Sequence, residues 1–174
     1  IFKETEHFFL KLSAFEDDLA NWVNKQQHWK SNVKNFTIGF LKGGLQDRAI
    51  TRDITWGVPI PLEGYQDKRI YVWFEAVTGY LSASIEWAAT KASPDAWKEF
   101  WSNESRAYYF MGKDNIPFHT VIWPAMLLGN EELSLPFDVP ANEYLNLEAQ
   151  KMAKSKGWMI PALDVLARYD TDAL

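Results

Sequence analysis

The chain has 174 residues, 47% hydrophobic and 24% charged, one domain's worth of globular composition that excludes wholesale disorder. It contains no cysteine, which excludes disulfides, thiolate metal sites and a cysteine nucleophile within these residues. Its 18 basic and 23 acidic side chains leave a net charge of -5, so any grip on phosphate has to come from a local basic cluster. No apolar run approaches the ~20 residues that span a bilayer, and the first residues are not a signal peptide. No membrane association and a cytoplasmic setting are therefore expected. The chain opens at Ile1 and stops at Leu174 inside a predicted helix, the pattern of a piece of a longer protein. Nine Trp, seven Tyr and eleven Phe make 16% of it. Core packing accounts for most of these, and pocket walls or interfaces for the rest.

In chain order, residues 6–12 (EHFFLKL) are β-rich and predict a strand. Ser13 with Glu16 three residues on makes a capping-box pattern, and Phe15, Leu19, Trp22 and Val23 then recur at helical spacing. Residues 35–41 predict a second helix, ended by Gly43-Gly44. Residues 1–47 thus form a mixed, mostly helical connector. Residues 48–52 (RAITR) predict a short strand, and 57–64, with Pro59 and Pro61, a loop. Residues 69–75 (RIYVWFE) predict a strand, 79–90 a helix, and 95–101 a further helical turn after Pro94. Residues 107–111 (AYYFM) predict a strand, 118–128 a helix kinked at Pro124, 142–147 a strand, and 162–169 a helix. Strands alternating with helices at short spacing predict an α/β fold with a parallel sheet, whose ligands lie beyond the carboxyl ends of the strands.

Three such ends carry chemistry. In YFMGKDNIPFHTVIWPAMLL (109–128) a strand runs into Gly112-Lys113-Asp114-Asn115, Pro117 suits a first helical turn, and Asp114 or Asn115 can cap it. Asn115, His119 and Trp123 are spaced by four and share a helix face. His119 there is either a satisfied core histidine or part of a pocket wall. In IYVWFEAVTGYLS (70–82) Trp73 lies in the predicted strand, and Ala76 and Tyr80 stand four apart beyond it. They are either aromatic packing around a turn or the walls of a site in which Ala76 leaves room. In KMAKSKG (151–157) Lys151, Lys154, Ser155 and Gly157 form a flexible basic loop, either a solvated charge run or a mobile grip on an anion such as a triphosphate. Phosphate-loop, dinucleotide, nucleophile-elbow and zincin motifs are absent. The three histidines, His7, His28 and His119, are too scattered to predict a metal site. Two glycosylation-type triplets, at Asn35 and Asn103, read as accidental.

Taken together the three segments resemble the class I aminoacyl-tRNA synthetases, and within them the methionyl-tRNA synthetase family. Lys151-Met152-Ala153-Lys154-Ser155 is similar to the class's lysine signature, with Ala153 in place of its first Ser. Blocks 71–80 (YVWFEAVTGY) and 110–119 (FMGKDNIPFH), with 49–53 (AITRD) and 56–59 (WGVP) before them, are similar to the methionine-specific stretches. The resemblance is strong over residues 48–174 and weaker over 1–47. It implies a fold: the second half of a Rossmann-like parallel sheet with flanking helices (48–150), the end of a connective insert (1–47), and the signature loop with the start of a helix (151–174).

The resemblance also implies a function, activation of methionine by ATP and its transfer to tRNA. Trp73, Ala76, Tyr80, Asn115, His119 and Trp123 would form the methionine pocket, with Tyr80 or His119 offering the sulfur a weak donor. Asp114 would pair with the α-ammonium. Arg52 and Lys113 would face ATP or the reacting carboxylate, and Lys154, assisted by Lys151 beside Ser155, would meet the charge building on the phosphates. Magnesium would accompany ATP, and zinc would bind only in parts of the insert that this chain lacks. The chain by itself is expected not to catalyse adenylation, because the family's other ATP-gripping element is absent, and an open sheet edge favours self-association. A leucine, isoleucine or valine synthetase shares the lysine loop but not the Trp73, Tyr80, His119 and Trp123 set. A non-catalytic aromatic-rich binding module would present its Trp side chains on one flat face.

Overall fold

Leu19 and Val23, four apart in the sequence, are both fully buried in the computed structural model, which describes residues 4–130 and 133–173. After a short strand β1 (Phe9–Leu10) and a 3-10 turn (Leu12–Phe15), they turn the apolar face of α1 (Glu16–Lys25) inward. Glu16, Asp17 and Asp18 open this helix and Lys25 closes it, matching charge to the helix dipole. The predicted capping box does not form. Ser13 donates its hydroxyl and its N–H to Asp47, and Glu16 accepts the Leu45 N–H, so both polar groups tie the helix start to the chain beyond the second helix. That helix, α2 (Ser31–Lys42), is longer than predicted and buries Val33, Thr37 and Leu41. It ends at Gly43, with Gly44 in the left-handed region at φ 78.

Strand β2 (Arg48–Ala49) pairs antiparallel with β1, and β3 (Thr51–Arg52) pairs antiparallel with β4 (Arg69–Ile70). The predicted strand 69–75 stops at Ile70. The Tyr71 N–H still reaches Ile50, but the Phe74 and Glu75 N–H groups turn back to the Tyr71 carbonyl and open a helical turn, α3 (Val72–Glu75). The β preference of Tyr, Val, Trp and Phe reflects their fit to a half-buried pleated surface, and here no neighbouring strand supplies one. A 3-10 turn (Ala76–Thr78) leads into α4 (Gly79–Ala89), as the sequence predicts, and a 3-10 segment (Ala96–Trp101) follows.

Strand β5 (Met111–Gly112) pairs in parallel with β6 (Ala141–Asn142), and the Tyr109 N–H extends the pairing to Asp138. This is the parallel element of the predicted α/β fold. The described strands otherwise pair antiparallel, in two-stranded units. Between β5 and β6 the expected helix 118–128 has two parts. Residues Phe118–Ile122 form a π turn, and α5 (Trp123–Asn130) continues from it. Pro124 supplies the reason: it has no N–H, and its ring crowds the carbonyl four residues back, so the preceding turn widens and the Trp123 N–H reaches Phe118. The helix is buried on opposite sides. Val121 and Ala125 join the core formed by Leu12, Leu19, Val23 and Val33, while Trp123 and Leu127 pack with Val77, Trp101 and Tyr109.

The chain forms two compact units, 1–142 and 143–174, where the sequence placed divisions after residues 47 and 150. Residues 4–47 pack into the first unit through the core just described. In the second, the predicted strand 142–147 contributes only β7 (Asn146–Leu147), hairpinned to β8 (Gln150–Lys151). The turn residues Glu148 and Ala149 both have positive φ, 49 and 61. That is the tight-hairpin conformation usually given to Asn-Gly, held here by non-glycine residues at a steric cost. Ala153 and Trp158 exchange backbone hydrogen bonds across a 3-10 turn (Lys154–Lys156) that closes on left-handed Gly157. The helix predicted over 162–169 is the shorter α6 (Ala162–Leu166). No helix of the described residues is long and apolar enough to cross a membrane.

Candidate functional site

The carboxyl end of β5 leads to a 3-10 turn, Lys113–Asn115, which sets Asp114 and Asn115 on the wall of a cavity of about 860 Å³. Arg52, Tyr71 and Trp73 line the same cavity. The Arg52 guanidinium lies 4.0 Å from the Tyr71 ring centroid and donates to the Ala49 and Thr51 carbonyls at 3.1 and 2.7 Å. A cation stacked and tethered in this way is oriented before any ligand arrives. Asp47, on the same wall, accepts both Ser13 bonds, which hold its carboxyl below the usual range. Lys113 is half-buried next to Asp114.

Beside the cavity, the two aromatic blocks meet. Trp73, on α3 and not in a strand, approaches Phe118 with ring centroids 6.3 Å apart. Ala76 and Tyr80 follow on the next turns, both exposed. The Tyr80 hydroxyl lies 2.8 Å from His119 Nε2, and His119 Nδ1 lies 2.9 Å from the Asn115 carbonyl. A carbonyl only accepts, so Nδ1 carries the proton. Burial lowers the imidazole pKa, opposed in part by the Asn115 bond, and keeps the ring neutral. Nε2 is therefore an acceptor and Tyr80 donates to it. Neither proton is spare, and a thioether would compete with His119 for the Tyr80 hydrogen. Exposure falls steeply along the three residues: Asn115 is exposed, His119 is 6% and Trp123 2% exposed.

Sequence reasoning missed Tyr109. It is buried, accepts the Trp123 indole N–H at 3.1 Å, and touches the rings of Tyr80 and His119 at centroid distances of 5.0 and 5.6 Å. Burial pushes its phenol pKa up. Its signal is the strand alternation that turns both Tyr109 and Met111 toward α5, opposite exposed Tyr108 and Phe110. The first unit thus brings Arg52, Trp73, Asp114 and Asn115 to one cavity, and Tyr80, His119 and Trp123 to an adjoining cluster joined through Asn115.

In the second unit, Lys151 Nζ sits 3.9 Å from the Tyr144 ring centroid, and Lys154 and Ser155 are exposed on the 3-10 turn. Ala153 is extended and closes the loop through its backbone hydrogen bonds with Trp158. Among the described residues no three His, Asp or Glu side chains gather where they could hold a metal ion.

All 174 residues match the family model described as tRNA synthetases class I (M). The chain belongs to that family. It is 64% identical over 173 residues to the methionine–tRNA ligase of Dehalococcoides mccartyi strain 195, covering 99% of this chain and 31% of the relative. Against the methionine–tRNA ligase of Chloroflexus aggregans it is 54% identical over 194 residues, covering all of this chain and 32% of the relative. The methionyl-tRNA synthetase of Mycobacterium tuberculosis bound by methionyl-adenylate superposes with a TM-score of 0.77 at 30% identity, over 96% of this chain and 31% of that one. The chain therefore spans about a third of the length of these class I synthetases.

The neutral state of His119 has a consequence for stability. Below the ordinary histidine pKa of about 6.5 the unfolded chain takes up a proton that the buried imidazole refuses, so stability falls as pH drops through that range. Urea unfolding at pH 7.5 and 5.5 is expected to show this loss, and His119→Gln is expected to shrink it. An equal pH difference in the two proteins would place the effect elsewhere.

Proposed function

We propose that the protein carrying this chain activates methionine with ATP to methionyl-adenylate and transfers it to tRNA in the cytoplasm. What supports the reading is the Tyr80–His119 hydrogen bond, which joins blocks 71–80 and 110–119 into one site in a chain 64% identical to a methionine–tRNA ligase. In this reading Trp73, Ala76, Tyr80, Asn115, His119 and Trp123 surround the methionine side chain. Aromatic walls suit a thioether at about 0.3–1.5 kcal/mol per contact. Shape alone separates near-isosteres by only about 1–3 kcal/mol, so competition for the Tyr80 proton adds a chemical criterion that leucine cannot meet.

Asp114 pairs with the α-ammonium at the cavity rim. Arg52 and Lys113 face the carboxylate and the α-phosphate. Lys154, with Lys151 and Ser155, neutralises charge that develops on the pyrophosphate as it leaves. Magnesium would accompany the nucleotide's phosphates and neutralise part of their charge; among the described residues no three His, Asp or Glu side chains gather to hold it. The cysteine-built zinc knuckles that the resemblance implies have no ligands in a chain without cysteine.

The test is a titration of the chain with a non-hydrolysable methionyl-adenylate analogue, read by tryptophan fluorescence, with the leucyl analogue as control. Trp73 and Trp123 lie in the proposed walls, so saturable quenching by the methionyl compound alone is expected. Equal responses to both compounds would favour a leucine-type synthetase. No response to either would remove the site from this chain.

A further inference from the structure

The buried stripe of α2 runs Val33, Thr37, Leu41, and a hydroxyl sits in the middle of it. Thr37 is fully buried, and so is Thr120, which lies next to His119 within the π turn. Their hydroxyl oxygens are 3.0 Å apart. Each also reaches back to its own helix, Thr37 to the Val33 carbonyl at 2.8 Å and Thr120 to the Ile116 carbonyl at 2.9 Å.

Proton counting makes this pair informative. Three contacts share two hydroxyl protons, and both carbonyls can only accept. When both back-bonds are made, no proton remains for the bridge. When the bridge is made, one carbonyl gives up its hydroxyl. Thr37 is the donor of the bridge, so the bridge exchanges with the back-bond at Val33, while Thr120 accepts and keeps its own proton on the Ile116 carbonyl; Ile116 directly follows the Asn115 whose carbonyl holds His119 Nδ1. Two valines would fill the same volume, and replacing both partners of a buried hydrogen bond by apolar groups is close to neutral for stability. Packing does not demand the hydroxyls at this place.

We propose that Thr37 is a positioning residue for the amino-acid site: through Thr120 it fixes the π turn that presents His119 to Tyr80. The proposal rests on the functional reading above for its effect on methionine, but not for its effect on His119. Residues of α2, which the sequence assigned to a connector, thereby set the geometry of the pocket wall.

The experiment has two arms. In the 174-residue chain, the ring-nitrogen NMR shifts of His119 report its tautomer and its bond to Tyr80. In the full-length ligase that carries this sequence, ATP–pyrophosphate exchange gives KM for methionine and kcat. Thr37→Val is expected to move the His119 Nε2 shift and to raise KM about fivefold with kcat within about twofold, the scale of one buried hydrogen bond. Thr37→Ser, which keeps the hydroxyl, is expected to restore both.

Unchanged His119 shifts in Thr37→Val overturn the proposal. So does a Thr37→Ser variant that behaves like Thr37→Val, which would make the missing methyl and not the hydroxyl responsible. If Thr37→Val does not fold, Thr120→Ser and Thr120→Val replace it in the same comparison. Absence of methionine-dependent exchange in the unsubstituted ligase would sink the functional reading alone, and the NMR arm would still decide the role of Thr37.

Discussion

Trp123→Ala is expected to destabilise the first unit by about 3–5 kcal/mol, the range for emptying a buried aromatic site. Three observations place it at the upper end. Trp123 is 2% exposed, it packs edge-on against Trp101 at a centroid distance of 5.8 Å, and its indole N–H is held by Tyr109. Truncation leaves a void between α5 and the Ala96–Trp101 segment and takes a donor from a buried hydroxyl. Since domains are stable by only about 5–15 kcal/mol, a Tm lowered on the order of 10 °C is expected by circular dichroism. Trp56, 77% exposed, provides the comparison: Trp56→Ala is expected to stay within about 0.5 kcal/mol. Similar shifts for the two would mean that Trp123 is not a keystone of this core.

The second large effect is chemical. Under the proposed function, Lys154→Ala in the full-length protein that carries this chain is expected to slow methionine-dependent ATP–pyrophosphate exchange roughly 10²–10³-fold, the usual loss on removing one preorganised donor to developing charge. Lys154 stands exposed at the start of a 3-10 turn that Gly157 closes in the left-handed region. A long lysine stem on such a turn can follow a phosphate as it departs. KM for methionine is expected to change little, because the amino-acid cluster belongs to other elements. Lys156→Ala, two residues on and outside the signature, is expected to cost less than tenfold. Equal losses for the two lysines would reduce the loop to a general basic patch, and an unaffected Lys154→Ala enzyme would contradict the assigned role.

The candidate site was legible in the sequence to different depths. The spacing of Asn115, His119 and Trp123 predicted one face; the structure lines the cavity with Asn115 and gathers His119 and Trp123 around Tyr109, with the Asn115 carbonyl on His119 Nδ1 as the link. Pro124 announced a kink, and the π turn is its local form. The spacing could not show that Tyr80 would find His119 across 39 residues, or that Tyr109 would hold Trp123. Those contacts depend on where separate turns come to rest. Among the segments misread was 69–75, where beyond Ile70 side chains suited to a strand meet, among the described residues, no strand to pair with, and the backbone turns into α3.

By itself the sequence determined the helices whose apolar residues recur every three to four positions, the glycines that end or turn them, and the basic character of the lysine loop. Each of these is written in neighbours along the chain. Tertiary structure alone decided the pairing of every strand, the tautomer of His119, the diversion of Ser13 and Glu16 from a helix cap to distant partners, and the hydroxyl bridge from Thr37 to Thr120. The physical reason is the same in each case. A hydrogen bond or a strand edge is satisfied by whichever partner packing brings within about 3 Å, and that partner need not be near in sequence.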